Sequence, residues 1–185
     1  MVPAVQGTVY EAFLATAGRY AQNDFLCVLS QTAAKYGIPE RSWSYAEAQV
    51  EIEELARIYR AAGVGLGQRV GLMLENRPAF FFHWLALNGL GASVVPINPE
   101  WRSAELEYLV GHSELGVAVV PPERVEDLRL AALNAGRKVA VTTPDLNLLD
   151  SVPLPAAVAG AAGAAMGGVA PSLGSNPEAT SGACG

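Results

Sequence analysis

Three sets of residues in this sequence have the types that chemistry requires. The first is Gly63-Val-Gly65-Leu-Gly67, whose spacing invites a dinucleotide-binding reading. Such a loop must follow a strand and open a helix, so that a pyrophosphate meets free helix N–H groups. Here a helical pattern ends at Gly63 and a strand pattern begins at Arg69, the inverse order. The glycines therefore read as a helix C-cap and a turn into a strand. The second set is His83 and His112, the only histidines. Neither has a carboxylate and a Ser or Cys at a recognisable spacing, and no G-x-S-x-G elbow supports a hydrolase triad. His83 sits among Phe80, Phe81, Phe82 and Trp84, which predicts packing, with a substrate-facing ring as the alternative. The third set is Cys27 and Cys184, far apart and without a CxxC or His/Cys cluster. Neither a zinc site nor a disulfide scaffold is expected, and Cys27 reads as a reduced core residue.

The elements that would position any site follow from periodicity. Val9, Phe13, Leu14, Ala17 and Tyr20 fit a short amphipathic helix. Asp24–Ser30 is a β-type run, and Arg41–Ser44 can pair back on it after a turn at Gly37-Ile38-Pro39. Ser44-Tyr-Ala-Glu47 has the form of a capping box. The helix it opens has Val50, Leu55, Ile58 and Tyr59 on one side. Arg69–Leu74 is nearly continuous in apolar residues, as in a strand buried on both faces of a parallel sheet. Asn76-Arg77-Pro78 starts a helix that runs to about Leu90, and Ser93–Ile97 is a further strand. Ser103–His112 is a helix with Ser103 as its expected cap, Val117–Val120 a strand, Glu123–Ala135 a helix and Lys138–Val141 a strand. This alternation predicts an α/β fold with a doubly wound, mostly parallel sheet flanked by helices. Ligands on such sheets sit beyond the carboxyl ends of the strands.

Composition narrows the function. The 185 residues are 51% hydrophobic and 16% charged, as in a globular chain. A net charge of −6 and no Lys/Arg cluster argue against nucleic acid. The first twenty residues lack the basic and apolar regions of a signal peptide. Pro78–Ile97 is long enough for a membrane span but contains His83, Asn88, two glycines and Pro96. Val152–Leu173 carries a Gly163-x-x-x-Gly167 pattern but is mostly Ala and Gly. No transmembrane segment is expected from either, and the expected location is cytoplasmic. After about Asp150 the sequence turns to Ala, Gly, Pro and Ser, with Glu178 the only charge, and reads as a low-complexity tail. The expected division is an α/β unit over 1–145 and this tail over 146–185.

A succession of blocks then carries a family resemblance. Trp43-Ser-Tyr-Ala-Glu47, Gly67-Gln-Arg-Val-Gly-Leu-Met-Leu-Glu-Asn76, Leu85-Ala-Leu-Asn-Gly-Leu-Gly-Ala-Ser-Val-Val-Pro-Ile-Asn98 and Glu105-Leu-Glu-Tyr-Leu109 occur in order. Together they resemble the N-terminal region of the AMP-binding, adenylate-forming acyl-CoA synthetases, over roughly Tyr10 to Val141. The resemblance implies ATP, Mg2+ and coenzyme A as cofactors and a small-molecule carboxylic acid as substrate. The acid would attack the α-phosphate to give an acyl-adenylate, and a thiol would then displace AMP. Two anions must meet in that reaction, so backbone N–H groups, Mg2+ and basic side chains must neutralise charge.

In that family the phosphate loop, the Lys-Gly after it, the adenine and acid segments, the ribose-binding Asp and a small domain with a catalytic Lys come later in the chain. No catalytic residue is assigned here. The resemblance offers one candidate binding segment, Thr180, Ser181, Gly182 and Gly185, which match the first part of the phosphate loop. Ala183 and Cys184 stand where that loop has hydroxyl residues, Asn176-Pro-Glu-Ala replaces its strand, and no Lys follows. A degenerate loop and a chance match in a Ser/Gly/Ala tail both stand. The expectation is the N-terminal part of an acid–CoA ligase, as 185 residues inactive in adenylation. The alternatives are a non-catalytic α/β interaction module, self-associating through an uncovered sheet, or a truncated product.

Overall fold

The structure, a computed structural model, describes residues 7–146. It is a mixed α/β fold with a four-stranded parallel sheet and a separate two-stranded antiparallel sheet. Helix α1 (Val9–Arg19) opens at Thr8, whose hydroxyl accepts from the Glu11 N–H at 3.1 Å. The Glu11 carboxylate accepts from the Thr8 N–H at 2.7 Å, completing a reciprocal cap that the sequence reading did not identify. Strands β1 (Asp24–Val28) and β2 (Arg41–Ser44) pair antiparallel, as expected. Between them lies a helix that was not expected, α2 (Ser30–Tyr36), closed by Gly37 in the left-handed region at φ 61°. Cys27 on β1 is half-buried and is not a free thiol, contrary to the reduced core residue expected. Along β1, Phe25, Leu26 and Cys27 are half-buried and only Val28 is fully in the core.

Helix α3 (Tyr45–Ala61) has the predicted capping box: Ser44 Oγ accepts from Glu47 N–H at 3.2 Å, and Glu47 Oε2 accepts from Ser44 N–H at 2.9 Å. Its buried stripe is Ala48, Ile52, Ala56 and Tyr59, whereas Val50 is exposed. Close approach of α3 to its neighbours favours the small alanines, so apolarity alone picked the wrong residue at position 50. Gly63 follows at φ 85°, where only a residue without Cβ is unstrained, and the Val64 N–H reaches Tyr59 O at 2.9 Å. The glycine run is thus the expected C-cap and turn into β3 (Arg69–Leu72).

From β3 the chain alternates through α4 (Pro78–Gly89), β4 (Ser93–Pro96), α5 (Ser103–Ser113), β5 (Val117–Val119), a 3-10 turn (Pro122–Arg124), α6 (Val125–Asn134) and β6 (Ala140–Thr142). Pro78 occupies the first turn of α4, where its missing N–H costs nothing. Ser103 is the first residue of α5 rather than its cap; the N–H of Arg102, in the cap position, donates to Glu105 at 3.0 Å. The strand order is β4-β3-β5-β6, all parallel, with Val70 beside Val94 on one side and Val117 on the other. β4 is an edge strand with Ser93 and Pro96 exposed. Pro96 has no N–H for an outer neighbour, which suits an edge.

Alternation along the strands divides the core. Val70, Leu72, Val117, Val119 and Ala140 face α1, α3 and α4. Met73, Ala118, Val120 and Val141 face α5 and α6 with Leu106, Val110 and Leu128. Gly71 faces the second group, where an added Cβ would lie 2.8 Å from Ile97 Cδ1 and 3.2 Å from Leu115 Cδ1. Among the described residues no helix is long and apolar enough to cross a membrane. That includes α4, in the first of the two segments checked; Val152–Leu173 lies outside the described residues, as does the expected tail.

Candidate functional site

The strand order reverses between β3 and β5, because β4 lies outside β3 and β6 outside β5. The connections leaving β3 and β5 therefore part at their carboxyl ends and leave a cleft. Its volume is about 330 Å³, at the small end of ligand sites. Met73, Leu74 and Ala79 form one wall, and Pro99, Pro121, Pro122 and Pro144 form much of the rest. The charged residues at it are Glu75, Arg77, Glu123 and Arg124.

Two of these segments are held in unusual ways. Glu75 has φ 53°, a left-handed conformation that costs a non-glycine residue about 1 kcal/mol or more. It turns the chain sharply from β3 toward α4, and its carboxylate lies 3.1 Å from the Arg77 guanidinium. The Arg77 guanidinium in turn lies over the Tyr36 ring, 4.9 Å from its centre, tying α2 to the cleft rim. Arg124 reaches across to the segment after β4. Its guanidinium donates to Pro99 O, to Trp101 O at 2.7 Å and to Asp127 at 2.7 Å. Both arginines are thus engaged in holding loops.

A buried polar relay lies behind the cleft. Tyr59 on α3 and His83 on α4 are both almost fully buried, with Tyr59 Oη 2.7 Å from His83 Nδ1. His83 Nε2 is 2.9 Å from the carbonyl of Pro144, which lines the cleft. A carbonyl can only accept, so Nε2 carries the proton and Nδ1 accepts from the tyrosine hydroxyl. Burial lowers the His83 pKa to about 4, only partly offset by the Pro144 bond, and the ring is neutral near pH 7. Burial also raises that of Tyr59, so the relay carries no charge. His83 is a packed, hydrogen-bonded histidine, as its apolar surroundings predict. His112 is exposed, stacked on Tyr108 with ring centres 4.1 Å apart. Phe82 is in the core, and Phe80, Phe81 and Trp84 are half-buried beside it.

The described part of the cleft can bind and orient but offers no activated nucleophile. Among the described residues no group of three His, Cys, Asp or Glu could hold a metal ion. These residues alone do not make a triphosphate site, because the cleft's two arginines are committed to Glu75 and to loop carbonyls. The candidate phosphate-loop residues Thr180, Ser181, Gly182 and Gly185 lie outside the described residues. The sequence reading missed Glu75, Arg77, Arg124 and the Tyr59–His83 pairing. Glu75 falls within the Gly67–Asn76 block and Arg77 at the start of the helix that follows it, but nothing in residue type signals a left-handed Glu75.

Fold and cleft together define an α/β binding scaffold of the doubly wound class. Comparison with known proteins makes this specific. The sequence pattern of the family described as AMP-binding enzyme matches residues 25–173. A crotonobetaine/carnitine–CoA ligase of Proteus mirabilis is 38% identical over 74 residues, 40% of this chain and 14% of that protein. A feruloyl-CoA synthase of Amycolatopsis is 34% identical over 122 residues, 66% of this chain and 24% of that protein. The luciferase-like enzyme of the mealworm Zophobas morio shares the fold at a TM-score of 0.67 and 15% identity, over 77% of this chain and 32% of that one. The chain belongs to the AMP-binding enzyme family. It spans less than a quarter of the length of the curated relatives it matches.

Proposed function

We propose that this chain is the N-terminal scaffold of an ATP-dependent acid–CoA ligase. The observation that carries the proposal is the family match over 25–173, with relatives named for CoA-thioester synthesis. In the whole protein a small-molecule carboxylic acid would be joined to AMP from Mg-ATP and then to coenzyme A. Residues 1–145 form the scaffold unit, and the carboxyl edge of its sheet is one wall of the site. Residues 146–185 form a distinct segment in which Thr180, Ser181, Gly182 and Gly185 are a degenerate phosphate loop. The protein acts in the cytoplasm. The 185 residues alone do not adenylate. Supporting this, the described cleft has its arginines engaged and carries no lysine.

The lineage is tested by sequencing the gene beyond codon 185 and reading all three frames. A Lys-Gly, an adenine-binding segment and a ribose-binding Asp should appear there. If none does, the ligase reading fails in favour of an interaction module. One observation favours that second reading: β4 is a half-exposed edge strand, and Tyr108, Leu130 and Leu133 are exposed. Light scattering of the purified chain decides it, since a clean monomer counts against self-association.

A further inference from the structure

We propose that Tyr59 and His83 form a latch that sets where the chain leaves β6 along the wall of the cleft. This goes beyond the ligase reading and stands on geometry alone. β6 is only three residues long, and it pairs with β5 at one edge of the sheet. A strand that short does not dictate the path of the residues after it. Pro144 has no N–H, so its carbonyl is the one backbone group by which Pro144 itself can be hydrogen-bonded. That carbonyl accepts from His83 Nε2 at 2.9 Å, 61 residues away in sequence. His83 would be free to adopt either tautomer in isolation. The Pro144 carbonyl, which can only accept, selects the tautomer with the proton on Nε2, and the Tyr59 hydroxyl, 2.7 Å from Nδ1, completes it by donating to that nitrogen. Both side chains are almost fully enclosed, so water cannot substitute for the bond between them. One turn of backbone follows: the Leu146 N–H bonds to Thr143 O at 2.9 Å, and Leu146 itself is buried. The latch thus joins α3, α4 and the post-β6 turn, and Pro144 presents that turn to the cleft.

The test uses the full chain labelled with nitrogen-15. Nitrogen–proton spectra of the wild type should show His83 as the Nε2–H tautomer; the Nδ1–H tautomer would overturn the proposal. Tyr59→Phe removes only the hydroxyl. It should speed amide exchange at Leu146 by about tenfold, the size of one lost hydrogen bond, and leave Val117 and Ala140 within about twofold once corrected for global stability. His83→Phe should act on the same amide. Should that variant not fold, the wild-type tautomer and Tyr59→Phe decide the matter. Uniform acceleration across all three amides would mean general destabilisation and no latch.

Discussion

The two faces of the parallel sheet are built in opposite ways. The face under α5 and α6 is aliphatic, made of Met73, Ile97, Leu106, Val110, Leu115, Val120, Leu128 and Val141. Apart from Met73, just after β3, all of it comes from the continuous stretch between Ile97 and Val141. The face under α1, α3 and α4 is rich in rings: Tyr10, Phe13, Trp43, Tyr59 and Phe82, with His83 buried among them. It gathers segments from Tyr10 to Leu146. Aliphatic packing rewards volume and tolerates exchange. Buried polar groups reward one geometry and are costly in any other. The aliphatic face therefore supplies stability, whereas the ring-rich face also fixes how distant segments meet.

The difference can be pushed hardest on the aliphatic side. Leu106 is fully buried, and Leu106→Ala should cost about 2–5 kcal/mol in denaturant unfolding, from lost transfer energy and the cavity left behind. Its midpoint should fall with the slope unchanged, and the pH dependence of stability should keep its wild-type shape. A change in that shape would mean the faces are not independent.

Acid should act through the other face. The folded His83 pKa of about 4 lies below the ordinary 6.5, so the unfolded chain binds a proton first as pH falls. Its contribution is present above pH 6.5 and is lost progressively as pH falls toward 4. The loss is on the order of 3 kcal/mol. Denaturant titrations at stepped pH should show it in the wild type and in Leu106→Ala. They should show it much reduced in His83→Phe.

Two buried tyrosines on the ring-rich face should respond with opposite signs. Tyr59 Oη is bonded to His83, and Tyr59→Phe should cost about 1–3 kcal/mol because Nδ1 is left unsatisfied. Tyr10 Oη is buried with no hydrogen-bond partner among the described residues. Tyr10→Phe should be neutral or stabilising by up to about 1 kcal/mol. Thermal melts of the two variants side by side would reveal it, and equal losses would contradict the relay. A smaller effect belongs to α3, which carries much of that face. Ser44→Ala removes both hydrogen bonds of the cap hydroxyl, from the Glu47 N–H and to the Glu47 carboxylate, and should cost about 1 kcal/mol, whatever the pH between 6 and 8.

The two faces also differ in how far the sequence discloses them. β3 shows both aspects: its apolar run announces a strand covered on both sides, and Val70 and Gly71 do face opposite layers. The elements of the α5/α6 face were legible because each short connection leads to the next strand of the same sheet. The hairpin and the Ser44 cap were legible because their chemistry is local. Helix α2 was not, since Ser30–Tyr36 buries nothing fully and has no side-chain cap. The edge position of β4 was masked by Val94 and Val95, although Pro96 pointed to it. The latch was beyond reach: Tyr59, His83 and Pro144 are 24 and 61 residues apart, and no spacing rule joins them. The cleft's place followed from parallel topology, but its rim rests on a left-handed Glu75 that residue type does not announce.

Both faces position a cleft in which the described residues include no activated nucleophile. The most direct measurement of that account is ATP–pyrophosphate exchange by the purified 185-residue chain, with Mg2+ and a panel of fatty and aryl acids. The account predicts no acid-dependent exchange above background. Robust exchange with any acid in the panel would contradict it.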